Sequence, residues 1–219
     1  MFASLVLCPT RASAPSEIEL KLKQPACDDA QLLSEFEALW IEANHIWEQY
    51  QDTAPFHNYV SADYRAIFAV LCEMRGSFWT VLEWGSGLGV VTIMASRMGF
   101  DACGIEAEQG LVDRANILAE KYGAKARFAH GSFVPDQFVW DPADGDEVHR
   151  TIINVPDAYD ELDMELRDFD LVYAYPWPDE HSLYRSIMRQ FGASHATMLT
   201  YDVREGLQRY SVRKRQKAE

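Results

Sequence analysis

The sequence predicts an α/β fold, a doubly wound and mostly parallel sheet with helices on both faces. Apolar runs of strand length alternate with helical stretches between positions 80 and 202, which is the order that parallel βαβ units require. A glycine-rich turn follows the first of these runs, where such sheets bind ligands. The 219 residues, 48% of them hydrophobic, are sufficient for one sizeable core.

Two amphipathic helices are predicted ahead of the sheet. The first spans 32–50, where apolar residues recur at i, i+3, i+4 and i+7. The second has Ser61 as its N-terminal cap and ends near Met74. Residues 1–29 carry three prolines among polar neighbours and are interpreted as a flexible lead-in, which leaves 30–219 as a single domain.

Five parallel strands follow in the prediction. We expect them at 80–84, 102–106, 125–130, 169–175 and 196–202, with helices at 90–98, 109–122 and 181–191. Residues 134–167 are acidic and too long for a plain connection, so they are interpreted as an insertion with a short helix, either a lid over the site or a solvated excursion. Only 203–219 remain after the fifth strand, which predicts a shortened C-terminal edge that favours a homodimer.

The net charge and the spacing of the cysteines limit which partners and which cellular compartment are expected. The formal net charge is −14, and phosphate backbones repel an acidic chain, so nucleic acid is disfavoured as a partner. The basic stretch 209–217 is interpreted as a solvated terminus. No two of the four cysteines form a CxxC pair, and no stretch approaches the roughly 20 apolar residues of a membrane span. We therefore expect a cytoplasmic protein without a zinc or other metal site and without a membrane partner.

The most informative motif is the loop Glu83-Trp84-Gly85-Ser86-Gly87-Leu88-Gly89 after the first strand. Glycines let backbone amides approach a ligand, and the next helix begins with unpaired N–H donors. A dinucleotide site needs G-x-G-x-x-G, but Val90 occupies its third glycine position, which weighs against a nicotinamide oxidoreductase. The Glu83 carboxylate would repel a pyrophosphate. It can hold the cationic amino-acid end of S-adenosylmethionine, or it can order the loop.

Polar and aromatic residues end the next two predicted strands. Glu106 lies 19 residues after Gly87 at the end of the second strand, a position suited to accept both hydroxyls of a ribose. Ser132 and Phe133 follow the third strand, where the serine can bond the edge of an adenine and the ring can flank it. The alternatives are a surface acid for Glu106 and a plain core aromatic for Phe133.

These motifs together resemble motifs one to three of class I, Rossmann-like, S-adenosylmethionine-dependent methyltransferases. The resemblance covers roughly 59–202 and implies that fold and S-adenosyl-L-methionine as the cofactor. It also implies the following cofactor-binding residues: Glu83, Gly85, Ser86, Gly87, Gly89, Glu106, Ser132 and Phe133. The stretch 56–64 is similar to the entry segment of small protein-lysine methyltransferases of that class, which implies that Tyr59, Ser61 and Asp63 lie near the methionine end of the cofactor.

The fourth strand ends in the catalytic candidates Tyr175, Pro176 and Trp177. With Pro178 they resemble the Asn/Asp-Pro-Pro-aromatic motif of methyltransferases that modify planar amino groups. Tyr175 replaces the Asn or Asp, and Trp177 replaces the second proline, which weighs against amide and adenine substrates. A tyrosine and a tryptophan can instead line a channel for a lysine ammonium through cation–π contact. The alternative is a motif that only ends the strand and packs.

The sequence therefore predicts methyl transfer to a nitrogen or oxygen of a protein side chain or a small molecule. Such an enzyme mainly aligns the acceptor with the methyl group and excludes water. Asp179, Glu180 and His181 are within reach as bases, although we favour none of them. The alternative is a non-catalytic S-adenosylmethionine-binding regulatory protein, since Tyr175 lacks the usual polar group and the edge is short.

Overall fold

The centre of the molecule is one six-stranded sheet with the order β3-β2-β1-β4-β5-β6. The computed structural model describes residues 30–56, 60–139, 151–152, 155–202 and 204–212. The strands are β1 (Thr80–Trp84), β2 (Asp101–Glu106), β3 (Arg127–His130), β4 (Leu171–Ala174), β5 (Thr197–Asp202) and β6 (Gly206–Ser211). The first five are parallel and β6 is antiparallel to β5. The predicted doubly wound, mostly parallel sheet is confirmed.

The helices cover the two faces of this sheet unequally. They are α1 (Ala30–Tyr50), α2 (Tyr64–Met74), α3 (Val90–Arg97), α4 (Gln109–Lys121), α5 (Tyr159–Leu162) and α6 (His181–Phe191). Helices α1 to α4 bury their apolar sides in one core with Val81, Leu171 and Leu199 of the sheet. Helices α5 and α6 build the second core on the opposite face with Leu82 and Val172.

The strand order reverses at β1, which has β2 on one side and β4 on the other. The pairing with β2 joins residues that are close in the chain, such as Thr80 and Asp101. The pairing with β4 joins distant residues, such as Val81 and Leu171. Crevices at such a reversal lie beyond the carboxyl ends of the strands, which is where a ligand site is expected.

The start of α2 differs from the prediction. Asp63, and not Ser61, caps the helix, because the Asp63 carboxylate accepts a hydrogen bond of 3.0 Å from the Ala66 N–H. Ser61 lies two residues before the cap and is exposed. Both residue types are good caps, so composition alone did not separate them.

The segment 134–167 contains the predicted short helix, which is α5. Tyr159 and Leu162 of α5 are buried in the second core, so this part of the segment covers one face of the sheet next to β3. Thr151 is also buried, and its hydroxyl donates a hydrogen bond of 2.6 Å to the Glu180 carboxylate at the start of α6. Residues 140–150 and 153–154 lie outside the described residues, and the lid stays a prediction.

The C-terminal edge of the sheet carries one antiparallel strand, β6, which the sequence analysis does not predict. Its residues alternate only weakly in polarity and are partly exposed. The predicted lead-in 1–29 and the tail 213–219 lie outside the described residues. None of the described helices combines the length and apolar character that a membrane crossing requires.

Candidate active site

A cavity of about 760 Å³ lies beyond the carboxyl ends of β1, β2, β4 and β5. Small-molecule sites typically have volumes of roughly 300–1,000 Å³. Ten of the predicted site residues line it: Glu83, Gly85, Ser86, Gly87, Glu106, Ser132, Phe133, Tyr175, Pro176 and Trp177. The topology thus brings together residues that are up to 94 positions apart, from 83 to 177.

The glycine loop connects the end of β1 to α3 at the floor of this cavity. The Ser86 N–H donates to the Ile105 carbonyl of β2 at 2.9 Å, and the Gly89 N–H donates to the Ser86 carbonyl at 2.7 Å. Gly85 has a φ of 66° and open space where a Cβ would lie, so it presents bare backbone to the cavity. The turn is therefore fixed by backbone bonds and leaves room for a ligand.

Gly89 has a different role from the other two glycines. It does not belong to the cavity lining, and it is the N-terminal cap of α3 with a φ of 72°. A Cβ on Gly89 would lie 2.4 Å from the Phe128 ring and 3.0 Å from Ala115. Gly89 therefore allows α3 to pack closely against β3 and α4, and it does not contact the cavity.

Glu106 holds the loop from the neighbouring strand. Its two carboxylate oxygens accept hydrogen bonds from the Gly87 N–H at 2.8 Å and from the Glu108 N–H at 3.0 Å. Burial raises the pKa of the Glu106 carboxyl, and the backbone N–H groups oppose that rise. A carboxylate has about four acceptor sites, so one that accepts two hydrogen bonds at the edge of a cavity can also accept hydrogen bonds from the hydroxyl groups of a ligand.

Glu83 faces both the cavity and the start of α3. Its Oε2 accepts hydrogen bonds from the Thr92 N–H at 2.9 Å and the Thr92 hydroxyl at 2.6 Å. This contact favours the loop-ordering role in the sequence analysis, since it ties the end of β1 to the first turn of α3. Burial raises the pKa of Glu83 to about 8 against these hydrogen bonds.

An aromatic stack forms one wall beside the ends of β1 and β3. The Phe133 ring lies 4.7 Å from the Trp84 ring with an interplanar angle of 13°, and Tyr184 of α6 contacts both. The Ser132 hydroxyl is already engaged, because it donates to the Ile152 carbonyl at 2.8 Å and accepts from the Val134 N–H at 3.0 Å. The wall therefore offers a flat apolar surface more than a free hydroxyl.

The opposite wall is built from the ends of β4 and β5. Tyr175 packs edge-on against Tyr201 with the ring centroids 5.1 Å apart. Behind them, Asp202 accepts hydrogen bonds from the N–H groups of Arg204 and Glu205, and these lower the pKa of its carboxyl. The His181 Nε2 lies 3.6 Å from the Asp202 carboxylate.

Sequence reasoning missed part of this wall. Tyr64 and Tyr173 line the cavity, and Tyr201 supports Tyr175 without lining it. All three appear in the sequence only as residues of an amphipathic helix or an apolar strand. The register of the sheet could have identified Tyr173, because it pairs with Glu83. Ser61 does not line the cavity, and Tyr59 lies outside the described residues.

The structure also sorts the three candidate bases. Glu180 is buried and accepts hydrogen bonds from Thr151, so it does not face an acceptor freely. Asp179 and His181 line the cavity, and Asp179 has an unusual positive φ of 73°. The contact with Asp202 at 3.6 Å sets His181 apart from Asp179, but no contact in the described part of the chain assigns either residue as the base.

Comparisons with known proteins support the fold. The chain is similar in structure to an RNA methyltransferase from Salinibacter ruber solved with S-adenosyl-L-homocysteine, with a TM-score of 0.51, 15% identity, and coverage of 74% of this chain and 98% of that one. It also matches an S-adenosylmethionine-dependent methyltransferase from Thiobacillus denitrificans solved with the same ligand, with a TM-score of 0.42, 16% identity, and coverage of 71% and 54%. No family model and no curated protein sequence matches the chain. The strand order and the similarity to the Salinibacter ruber structure show that the chain has the class I methyltransferase fold.

Proposed function

We propose that this protein is an S-adenosylmethionine-dependent methyltransferase that acts on a nitrogen or oxygen of a protein side chain or a small molecule. The observation that carries the proposal is the buried Glu106 carboxylate, which ends β2 beside the glycine loop and bonds the Gly87 N–H at the cavity. Such a carboxylate suits the vicinal hydroxyls of a nucleoside. The fold shared with known methyltransferases supports the same assignment.

The residues present fit S-adenosylmethionine as the cofactor. We assign its ribose to Glu106, its adenine to the wall at Phe133 and Ser132, and its methionine end to the loop of Gly85, Ser86 and Gly87. Within the described residues the Ser86 hydroxyl has no hydrogen-bond partner and is buried beside Gly104 of β2, so we assign the contact with the cofactor to the backbone of the loop. Glu83 orders this loop, and Gly89 supports it through packing. Tyr59 and Ser61 remain predictions.

The bound cofactor would supply an electrophilic methyl group on sulfur, and the chain would supply position and a dry environment. Tyr175, Pro176 and Trp177 lie at the end of β4, across the cavity from the Phe133 wall. We assign them to holding the acceptor, because alignment of the attacking atom and exclusion of water account for most of the rate in such transfers.

The acceptor class is a separate part of the proposal. The similar structure from Salinibacter ruber is an RNA methyltransferase, and at 15% identity its acceptor does not carry over to this chain. The net charge of −14 opposes docking of a polyphosphate backbone. A protein or small-molecule acceptor is therefore our proposal, with nucleic acid as a competing outcome of the transfer assay.

The cofactor assignment is tested by calorimetric titration with S-adenosylhomocysteine. Glu106→Ala removes an acceptor of charge-assisted hydrogen bonds, so we expect at least about a 10-fold loss of affinity. Gly87→Asp places a side chain in the loop and should weaken binding at least as much. Glu120→Ala, on the exposed side of α4, is the control. Unchanged affinity in both loop variants would remove the proposal.

Catalysis is tested separately from binding. The protein is incubated with methyl-labelled S-adenosylmethionine and a cell extract, and the transferred label is counted. Transfer that Glu106→Ala reduces supports an enzyme. Tight cofactor binding without transfer would instead indicate the alternative, a binding protein with a regulatory role.

A further inference from the structure

A cluster of tyrosines forms the wall of the cavity at the ends of β4 and β5. Residues 83, 173, 175 and 201 lie on one face of the sheet, because Glu83 pairs with Tyr173 and Tyr173 pairs with Leu199, two residues before Tyr201. Tyr64, from the first turn of α2, lines the cavity with Tyr173 and Tyr175, and Tyr201 packs edge-on against Tyr175 without lining the cavity itself. We call Tyr64, Tyr173, Tyr175 and Tyr201 the phenol wall.

Tyr173 is the most constrained member of the phenol wall. It is only 4% exposed, it lines the cavity, and within the described residues its hydroxyl has no hydrogen-bond partner. Buried hydroxyls in native proteins are nearly always paired, so this one is expected to find its partner in a bound molecule. Burial, with a further contribution from Glu83, raises the pKa of Tyr173 well above its ordinary value, and the group stays a neutral phenol that can donate and accept.

The charges around the cavity favour a cation beside this wall. Apart from Glu83, whose pKa of about 8 keeps it mostly protonated at neutral pH, five acidic side chains and two arginines line it (Glu106, Glu108, Asp179, Asp202 and Glu205 against Arg185 and Arg204). Three of the acids, Asp179, Asp202 and Glu205, follow the ends of β4 and β5, next to the phenol wall. Carboxylate or phosphate acceptors would be repelled here, whereas aromatic faces and nearby carboxylates attract an ammonium group.

We propose that the phenol wall binds the methyl acceptor, that this acceptor is an aliphatic amine, and that the Tyr173 hydroxyl bonds the attacking nitrogen. The inference rests on the proposed function and names the substrate class for the same site. An amine on a lysine side chain and an amine on a small molecule share this chemistry. Tyr173 is a binding residue that the motif at Tyr175, Pro176 and Trp177 does not include.

The reaction balances without any further reactant. The acceptor arrives as an ammonium ion and releases one proton to solvent, which leaves a neutral amine with a lone pair. That lone pair forms the new N–C bond as the S–C bond breaks, and the electron pair of the broken bond goes to sulfur. The sulfonium becomes a neutral thioether, and the product ammonium carries the positive charge. The Tyr173 oxygen can accept an N–H hydrogen bond throughout.

The binding test uses n-butylamine as the probe and n-butanol and butyrate as comparison compounds, with the full chain and S-adenosylhomocysteine present. Ligand-observed NMR titration gives the affinities. We expect the amine to bind at least about fivefold more tightly than n-butanol, as a cation against aromatic faces does. Equal or tighter binding of n-butanol or butyrate would overturn the inference.

The variant test isolates the hydroxyl. Tyr173→Phe keeps the ring, so we expect unchanged S-adenosylhomocysteine affinity and about a 3- to 10-fold weaker amine, the effect of one lost hydrogen bond. The matched control is Tyr122→Phe, which removes a hydroxyl bonded to Glu42 away from the cavity. If Tyr173→Phe binds the amine as well as the native protein does, Tyr173 does not contact the acceptor.

The transfer test identifies the acceptor atom and its source. Methyl-labelled product from cell extract is treated with alkali, hydrolysed, and separated into protein and small-molecule fractions. Alkali-stable N-methyl-lysine or an N-methylated small amine supports the inference and tells the two sources apart. Label in esters or phenol ethers overturns it but leaves the proposed function intact. Label in nucleobases overturns both the inference and the proposed acceptor class, and failure of S-adenosylhomocysteine to bind overturns the cofactor assignment as well.

Discussion

Among individual residues, Glu83 has a carboxyl group whose charge depends on folding. It is 5% exposed, and its hydrogen bonds to Thr92 do not offset the cost of burial. An ionised Glu83 would accept stronger hydrogen bonds from Thr92 and attract a cation, but the cost of burying its charge exceeds that gain. The pH at which it ionises therefore bears on stability and on ligand binding.

Glu83 predicts a pH dependence of the unfolding free energy. Its pKa is about 8 in the folded protein against an ordinary value of 4.5, so between these values the folded state holds a proton that the unfolded state has released. Stability contributed by this group is lost as the pH rises through that window, by up to about 1.4 kcal/mol per pH unit. Above about pH 8 the loss stops.

The measurement is urea unfolding of the native protein and Glu83→Gln between pH 5.5 and 8.5. The glutamine stays neutral, so the stability of the native protein relative to the variant should fall as the pH rises. Other titrating groups cancel in the difference. Glu120→Gln, on the exposed side of α4, controls for the loss of a carboxyl group. A difference that does not change with pH would show that Glu83 is ionised throughout.

The two carboxylates and the glycine loop could be predicted as residues, because motif spacing places them at strand ends. The residues that contact these carboxylates and glycines could not be predicted. The bond from Thr92 to Glu83 and the packing of Phe128 under Gly89 depend on how α3 and β3 approach the loop. The same limit applies to Tyr173, whose role depends on its sheet register beside Glu83 and whose apolar strand gives no local signal.

In the turn from β1 to α3, two glycines serve different purposes. Gly85 faces open space at the cavity, while Gly89 lies against Phe128 and Ala115. Both have φ values in the left-handed region, 66° and 72°. A methyl group therefore strains the backbone at both positions, but it meets other atoms only at Gly89.

This difference predicts effects of different size and cause for two matched substitutions. Gly85→Ala should cost about 1–2 kcal/mol of stability from backbone strain and should weaken S-adenosylhomocysteine binding, because the methyl group enters the cavity. Gly89→Ala adds overpacking to the strain and should cost about 2–4 kcal/mol. Chemical unfolding and calorimetry measure the two effects.

A double-mutant cycle with Phe128→Leu checks the cause. A smaller side chain at 128 leaves room for the new methyl group, so Gly89→Ala should cost less in that background than in the native one. The cost of Gly85→Ala should stay the same in both. Additive costs for Gly89→Ala and Phe128→Leu would contradict the packing explanation.

Element boundaries show where sequence patterns lose precision. The bounds of β1 and α6 match the prediction, whereas β4 is shorter, Leu171–Ala174 instead of 169–175. Phe169 is fully buried and Tyr175 lines the cavity, so both continue the apolar pattern without belonging to the hydrogen-bonded strand. The apolar pattern in the sequence reports which residues are buried, whereas the bounds of the strand depend on backbone hydrogen bonds to its neighbours.

For the molecule as a whole, the doubly wound, mostly parallel sheet could be predicted from the alternation of strands and helices, whereas the strand order β3-β2-β1-β4-β5-β6 comes from the structure. The edge strand β6 could not be predicted, because an exposed antiparallel strand needs no strong apolar alternation. Dimerisation through this edge stays a prediction. The attachment of Thr151 to Glu180 joins positions 29 residues apart and has no signature in either local sequence.

The position of β1 between β2 and β4 also has a consequence for the order of folding. Residues 80 and 101 pair across 21 positions, and residues 81 and 171 pair across 90. Closing the longer loop costs more chain entropy, so the unit from β1 to β3 can assemble before β4 and β5 join it. In pulsed hydrogen exchange during refolding, we expect the amides of β2 to gain protection before those of β5; simultaneous protection would contradict this order. The half of the cavity with the glycine loop would then form first, and the phenol wall would be completed last.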